Sequence, residues 1–260
     1  MTTLNSTTDV SALSTTDLAA LTTTQIASLT TAQVVAFSAT QALSLSTAQI
    51  RALTITAVAA LSTAQVAGLT TAQISKGLSS AQIAAMQTAD LEAMVTDAIA
   101  ALSTTQVMAL TSAQISGLST ASLNALTTAQ FAALRTAQIA ALTTSAIASL
   151  STDQEVALGA AQIKAITTAS IAALGTAQIV ALTTAQAAAL STAQISSGLS
   201  TKQLAVMETD DLSAMGTSAI AAFTTAQARA LTTNQIAALT TSQVMALTSA
   251  QISGLSTASL

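Results

Sequence analysis

Large apolar residues recur along the chain with a spacing of eight. The series Leu13, Leu21, Leu29, Phe37 and Leu45 continues to Leu255 and marks 31 full units, here called octads. Each octad reads approximately Ser/Thr, Thr, Ala, Gln, Ile, Ala, Ala, Leu, and its positions are numbered one to eight in that order. Position five is large and apolar in most octads, and position four is Gln in 21 of them. The pattern predicts a repeat protein rather than a globule with one closed core.

Very short helices explain each position of the octad. Ser or Thr at position one and Gln at position four form a capping box, in which each side chain bonds the backbone N–H of the other residue. The preceding Leu and the Ile at position five then form a hydrophobic staple, as in Leu61 and Val66 around Ser62 and Gln65. Each predicted helix has about seven residues, too few to be stable alone. We therefore expect an all-α solenoid or superhelix, with one capped helix per octad.

One long helix and a β structure both fit the spacing poorly. Eight residues at about 100° each rotate the apolar stripe by roughly 80° per octad, so the stripe would wind around a single helix. Strict two-residue alternation is absent, and Ala, Gln and Leu are not typical strand residues. The number of octads per turn stays open. Octads without Gln at Ala98, Ser122 and Ala146 hint at three per turn, whereas a triangle of helices leaves little interior space and favours four or more.

A longer repeat lies over the octads. The sequence ISKGL at 74–78 returns as ISSGL at 195–199, an offset of 121 residues, or fifteen octads plus one residue. The extra residue gives nine-residue units at 70–78 and 191–199. No linker or change of composition interrupts the pattern, so the sequence predicts a single continuous solenoid over residues 1–260.

Composition removes several classes of function. The chain has no Cys, His, Trp, Tyr or Pro, which excludes thiol and imidazole chemistry and most zinc sites. Six basic residues against ten acidic ones give a net charge of −4, too little positive charge for nucleic acid. No run of about 18 apolar residues predicts a membrane span. We expect no enzyme activity, no cofactor and no small-molecule substrate.

The candidate chemical groups all have a structural interpretation that we favour. We assign the position-four Gln to helix capping rather than to a ligand-binding ladder. The acidic clusters could bind calcium, but they lack the spacing of a calcium loop, and we interpret them as solvated or dipole-compensating acids at helix starts. The clusters are Asp90, Glu92 and Asp97, and Glu208, Asp210 and Asp211.

Three further sequence features each lead to a specific structural expectation. Glu155 is a charge at core position five, and we expect a local register shift that turns Val156 inward in its place. Four methionines at position eight, Met86, Met94, Met207 and Met215, are expected to replace Leu in the core. Asn5 begins a weak glycosylation sequon. No residue is predicted to be catalytic, metal-ligating or cofactor-binding.

The octads STAQIRAL (46–53) and TTNQIAAL (232–239) resemble the octapeptide tracts of very large bacterial secreted or cell-surface, adhesin-like proteins. The resemblance covers essentially the whole chain and implies a surface location and a structural role. It assigns no functional residue. An N-terminal signal peptide is not visible, so the export route stays unknown.

The leading functional hypothesis is a spacer or a self-associating, filament-forming segment of an exported surface protein. A solenoid without polar terminal caps exposes apolar cross-sections, and the sequence STASL at 256–260 stops within an octad, so end-to-end or lateral self-association is expected. The alternative is a binding module that presents its Thr and Ser array to ice, a glycan or a partner protein. The handedness, the oligomeric state and any ligand stay open.

Overall fold

The computed structural model describes residues 8–255 and confirms the all-α prediction. Every octad in this part of the chain forms one short helix, and these residues contain no β-strand. Asn5 and residues 256–260 lie outside the described part. The backbone separates into two compact units with a boundary between Ala133 and Leu134, and each unit is described by itself. The prediction of one continuous solenoid over 1–260 stays a prediction.

The first unit contains 14 described α-helices, one 3₁₀ helix and one π-helical segment. The α-helices have five or six residues, slightly shorter than predicted. Their bounds are Thr15–Ala19, Thr23–Ala27, Thr31–Val35, Ala39–Ser44, Thr47–Ala52, Ile55–Ala59, Thr63–Ala67, Ser80–Ala85, Thr88–Glu92, Thr96–Ala100, Thr104–Ala109, Ser112–Gly117, Thr120–Asn124 and Thr128–Ala133. The 3₁₀ helix is Val10–Ala12 and the π-helical segment is Gln73–Gly77.

The second unit repeats the arrangement with 14 described α-helices and one π-helical segment. The α-helices are Thr136–Ala141, Thr144–Ala148, Thr152–Val156, Ala160–Ala165, Thr168–Ala173, Thr176–Ala181, Thr184–Ala189, Thr201–Val206, Thr209–Ala214, Thr217–Ala221, Thr225–Arg229, Thr233–Ala238, Thr241–Ala246 and Ser249–Gly254. The π-helical segment is Gln194–Gly198.

The predicted capping box begins most of these helices. At Thr63–Ala67, the Ser62 hydroxyl accepts from the Gln65 N–H, and Gln65 Oε1 accepts from the Ser62 N–H at 2.7 Å. Leu61 and Val66, the predicted staple pair, are both buried. The chain then turns through an extended residue at position eight and begins the next helix. Capping and staple together explain why helices of five residues form at all.

Three octads make one turn within each unit. In both units, helices pack against the helix three octads further along, as Thr23–Ala27 does against Thr47–Ala52. Position five and position eight face the interior, whereas positions three and six are largely exposed. The core is thus a stack of Ile, Val and Leu layers, each side chain contributing about 1.5–3 kcal/mol when fully buried. The structure settles the number of octads per turn that the sequence leaves open.

The nine-residue units form π-helical turns. The extra residue at 70–78 and 191–199 is accommodated within Gln73–Gly77 and Gln194–Gly198, so that the cap and the position-eight leucine keep their places. The widened turn brings its glycine against the neighbouring turn. A Cβ at Gly77 or Gly198 would lie 3.1 Å from side-chain carbons of Ile50 or Ile171, respectively. Glycine therefore allows the insertion without moving the stack.

Candidate functional site

The position-four glutamine joins successive turns of the stack. Gln49 Oε1 accepts from the Ser46 N–H at 2.8 Å, which is the predicted cap. Its Nε2 donates to the carbonyl oxygens of Leu18 at 2.9 Å and Leu21 at 2.8 Å, 31 and 28 residues earlier. Both carbonyls lie at the end of a helix of the preceding turn. The Leu18 carbonyl also accepts from the Leu21 N–H at 3.1 Å, whereas the Gln49 amide is the donor to the Leu21 carbonyl. One side chain therefore caps its own helix start and a neighbouring helix end.

The same bonds recur through both units, and we call them the glutamine ladder. In each further member, Nε2 lies 2.6–3.3 Å from the position-eight carbonyl oxygen of the preceding turn. These members include Gln65, Gln73, Gln82, Gln106, Gln114, Gln178, Gln186, Gln194, Gln203, Gln227, Gln235 and Gln243. All of these glutamines are buried. Each satisfies polar groups that would otherwise cost about 1–3 kcal/mol apiece when buried.

The sequence analysis missed this second role of Gln. A capping box accepts Glu or Gln at position four, yet no octad of the chain has Glu there. Glu can accept from the N-cap N–H but cannot donate to a carbonyl when it is ionised. The preference for Gln over Glu at position four was the signal that indicated a donor function.

Two aspartates replace ladder glutamines and are buried, which corrects part of the sequence prediction. Asp90 is 3% exposed and Asp211 is 2% exposed, so of the predicted alternatives, solvated or dipole-compensating acids, the solvated one does not apply to these two. Glu92, Asp97, Glu208 and Asp210 are exposed as predicted. The capping register fixes position four between turns, and this register determines the burial of Asp90 and Asp211. Both lie in the first turn of their helices, as the dipole argument requires.

The two buried aspartates have different surroundings. Thr63 Oγ1 donates to Asp90 Oδ1 at 3.1 Å, and Gln87 Nε2 donates to the Ala59 carbonyl at 3.3 Å. The Oδ2 atoms of Asp90 and Asp211 have no hydrogen-bond partner. Burial, together with the negative charges of Glu208 and Asp210, raises the pKa of the Asp211 carboxyl from 3.8 to about 6.

The predicted register shift at Glu155 is wrong. Glu155 itself is 1% exposed, whereas Val156 is 43% exposed. The Ser151 and Gln154 capping box is intact and fixes the next residue inward, so the helix cannot rotate to exchange the two side chains. Both carboxyl oxygens of Glu155 lack a hydrogen-bond partner among apolar neighbours that include Ile163 and Ile179.

Burial has a large effect on the Glu155 carboxyl. Desolvation raises its pKa from 4.5 to about 8, so the neutral form predominates at pH 7. The environment is that of a tolerated core substitution.

The prediction for the position-eight methionines is tested directly. Met86, Met94, Met207 and Met215 are buried in the core, as predicted. Over residues 8–255, no group of three or more His, Cys, Asp or Glu side chains is arranged to hold a metal ion. No helix in the same residues combines the length and apolar character needed to cross a membrane.

A polar cleft lies on the surface of the first unit. It has a volume of about 350 Å³ and is lined by Arg51, Ser75, Leu78, Ser79, Ser80, Ser103, Thr105 and Gln106. The sequence analysis did not single out these residues.

Comparison with known proteins gives one informative match. No curated protein matches the chain. A similar solved structure is the leucine-rich repeat-containing protein LegL7 from Legionella pneumophila, which is 10% identical, with 90% of this chain and 79% of that chain covered and a TM-score of 0.18. A TM-score this low supports no inference about fold or function.

The profile of the ALTTAQ repeat matches the sequence seven times. The matched residues are 10–47, 43–76, 83–120, 115–144, 163–201, 204–241 and 229–257. They span most of the chain and agree with the octad pattern and with the tandem capped helices. The chain belongs to the ALTTAQ repeat family.

Proposed function

We propose that the chain is a structural spacer that associates turn on turn with further copies, within an exported bacterial surface protein. The supporting observation is the glutamine ladder, because the same inter-turn bonds recur at turn after turn of each unit. Stability then adds along the chain, and whole octads can be gained or lost without disturbing distant ones. Such an interface suits a chain whose length matters more than any single site.

Self-association is supported by the apolar face of residues 232–255. Position five is buried in every octad from Val10 to Ala228, but Val244 is 43% exposed and Ile252 is 48% exposed. Within residues 8–255 no helix three octads further along packs on these octads, and another turn of octads would cover their position-five side chains. A second copy offers such a turn, with the same cap and ladder chemistry.

A paired surface test distinguishes turn-on-turn from lateral association. We expect concentration-dependent oligomers by analytical ultracentrifugation and linear assemblies by negative-stain microscopy. Val244→Lys combined with Ile252→Lys should abolish them. Val180→Lys is the matched control, because Val180 is also 43% exposed but lies at lateral position six. Loss of assembly in Val180→Lys alone, or a monomer at high concentration, would contradict the proposal.

The proposed surface location rests on the octapeptide resemblance and on the lack of cysteine in the sequence. A chain without cysteine does not need a reducing compartment to keep its thiols reduced. Labelling of intact cells with an antibody against the repeat tests it. Signal on unpermeabilised cells supports export, and signal only after permeabilisation contradicts it.

The second candidate function is a hydroxyl-presenting binding module. Position-two threonines such as Thr144, Thr152, Thr176 and Thr184 are exposed at helix starts and recur once per octad. Thermal hysteresis in the presence of ice, together with a neutral-glycan array, would favour this candidate. A Thr176→Val variant with Thr152→Val should then reduce the binding, whereas a spacer would not respond.

A further inference from the structure

The polar cleft of the first unit contains a positive charge in a chain that has few. Only six of 260 residues are Lys or Arg; one of them, Arg51, lines the cleft, and the backbone carbonyl of a second, Lys76, contacts it. Arg51 Nη2 donates to the Lys76 carbonyl at 2.6 Å, so the guanidinium is held against the next turn of the stack. Arg51 lines the cleft, and Lys76 is the sequence neighbour of the lining residue Ser75.

Hydroxyl groups make up most of the remaining lining. Ser80 Oγ donates to the Thr105 carbonyl at 3.3 Å, and the hydroxyls of Ser103 and Thr105 lie 2.9 Å apart. These bonds fix several oxygen atoms along one wall. No acidic residue is among the lining side chains. The cleft therefore combines a fixed cation with uncharged donors and acceptors.

The size of the cleft narrows the class of ligand. Its volume of about 350 Å³ falls in the range of roughly 300–1,000 Å³ that is typical of small-molecule sites. A bare inorganic ion would use only part of that space. A guanidinium presents five N–H donors in a planar fork that suits carboxylate, sulfate and phosphate oxygens, and the serine and threonine hydroxyls suit sugar hydroxyls.

We propose that this cleft binds an acidic saccharide, with Arg51 on the oxyanion, Lys76 beside it and the hydroxyl wall on the sugar ring. The anionic group is a carboxylate or a sulfate or phosphate ester, since each offers a pair of oxygens to the two parallel N–H donors of the Arg51 guanidinium. The site does not depend on the proposed spacer role, and its test reports on binding rather than on assembly.

The longer repeat supplies an internal control. At an offset of 121 residues, four of the hydroxyls persist as Ser196, Ser200, Thr201 and Thr224, whereas Thr105 corresponds to Ala226, and Arg51 and Lys76 correspond to Ala172 and Ser197. The second copy has most of the polar wall without the cations. If the cations create the site, they should create a second one when they are introduced there.

Ligand-observed NMR and isothermal titration with glucose 6-sulfate test the proposal, with glucose and sodium sulfate as separate controls. We expect saturable binding of glucose 6-sulfate and of glucuronate, and much weaker binding of glucose or of free sulfate. Arg51→Ala should raise the Kd at least about tenfold, as expected for the loss of charged hydrogen bonds. Lys76→Ala should raise it less. Arg229→Ala is the matched control, because Arg229 occupies the same octad position as Arg51.

The Ala172→Arg, Ser197→Lys and Ala226→Thr triple variant should bind a second equivalent of glucose 6-sulfate. It also keeps the proposal testable if Arg51→Ala disturbs folding. No saturable binding, unchanged binding in Arg51→Ala, or a free sulfate affinity equal to that of the ester would overturn the acidic-saccharide site. The last outcome would indicate an adventitious ion only.

Discussion

Octads 87–94 and 208–215 carry the same change from Gln to Asp at position four, but they surround the carboxyl differently. In the first, Thr63 donates to Asp90, and Gln87 supplies an amide donor to the Ala59 carbonyl. In the second, Glu208 stands in place of Gln87, and Asp210 adds another negative charge. The pKa of the Asp211 carboxyl rises to about 6 as a result of burial and of these two neighbours.

The difference shows what the glutamine ladder contributes. A ladder position must accept from its own helix start and donate to the preceding turn, and an ionised carboxylate performs only the first task. Replacing Gln by Asp removes the bond to the preceding turn and lowers stability. Neighbouring donors restore part of that stability at Asp90, whereas acidic neighbours lower it further at Asp211. The same comparison extends to Glu155, whose carboxyl has no partner, and to substitutions that add a carboxyl to the ladder or remove a partner of Asp90.

Glu155 should show the largest effect, because its carboxyl has no partner at all. With a folded pKa near 8 and an unfolded value of 4.5, the folded state holds the proton more tightly, and its stability is highest below pH 4.5. The free energy of unfolding should fall by about 1.4 kcal/mol per pH unit as pH rises toward 8, or about 3 kcal/mol between pH 5 and pH 7. Urea unfolding over that range measures it, and Glu155→Gln should lack this dependence. Equal slopes in both proteins would contradict the assignment.

Gln114→Glu installs a carboxyl in an intact part of the ladder. The wild-type Nε2 donates to the Ile83 and Met86 carbonyls at 3.0 and 2.8 Å. The carboxylate would keep the cap but lose both bonds. The Ile83 carbonyl would keep the Met86 N–H as a donor, whereas the Met86 carbonyl would be left unpaired, and we expect a loss of about 2 kcal/mol at pH 8. Urea unfolding measures the change, with Ser116→Ala on the exposed face of the same helix as control. A loss no larger than that of the control would argue against the ladder.

Asp211→Gln should stabilise the chain by about 1 kcal/mol at pH 7, because it restores a donor and removes one of three acidic groups. The raised pKa of Asp211 makes the wild type lose stability as pH rises from 3.8 to about 6, and the variant should lose less over this range. Asp90→Gln should increase the free energy of unfolding less than Asp211→Gln does. Differential scanning calorimetry compares the two, and an equal or reversed order would show that the neighbouring groups do not matter.

Thr63→Val tests the smallest difference between the copies. Loss of the Thr63 bond to Asp90 should cost about 0.5–1 kcal/mol. Thr184 is the equivalent residue 121 positions later and makes no corresponding bond in the described structure, so Thr184→Val should be close to neutral. Thermal unfolding of both variants measures the contrast. Similar losses in both would mean that the cost reflects the helix start rather than the Asp90 bond.

The fold was predictable because local rules agree at each octad. The capping box and the staple fall on the same register, and each of them by itself requires a new helix every eight residues. The nine-residue units were visible from the sequence, but their π-helical form was not, since it depends on the space beside Ile50 and Ile171. The number of octads per turn also depends on contacts between turns, which a local sequence pattern does not predict.

The candidate sites were less predictable, because they too depend on contacts between turns. The sequence analysis let Glu155 rotate outward because it weighed the cost of burying one charge, but the cap at Ser151 and Gln154 fixes the helix register. The cleft at Arg51 gathers residues from three turns of the stack, so their proximity follows only from the number of octads per turn. The absence of Glu at position four was the single sequence signal of the ladder that could have been used.

The most direct test of the account is an NMR measurement on the Gln49 side-chain amide. If three octads make a turn and the ladder joins the turns, its Nε2 protons will show nuclear Overhauser contacts to residues near Leu18 and Leu21, 31 and 28 positions earlier in the chain. Contacts one octad further back would indicate four octads per turn. Either that result or a solvent-exposed amide without such contacts would contradict the structure described above.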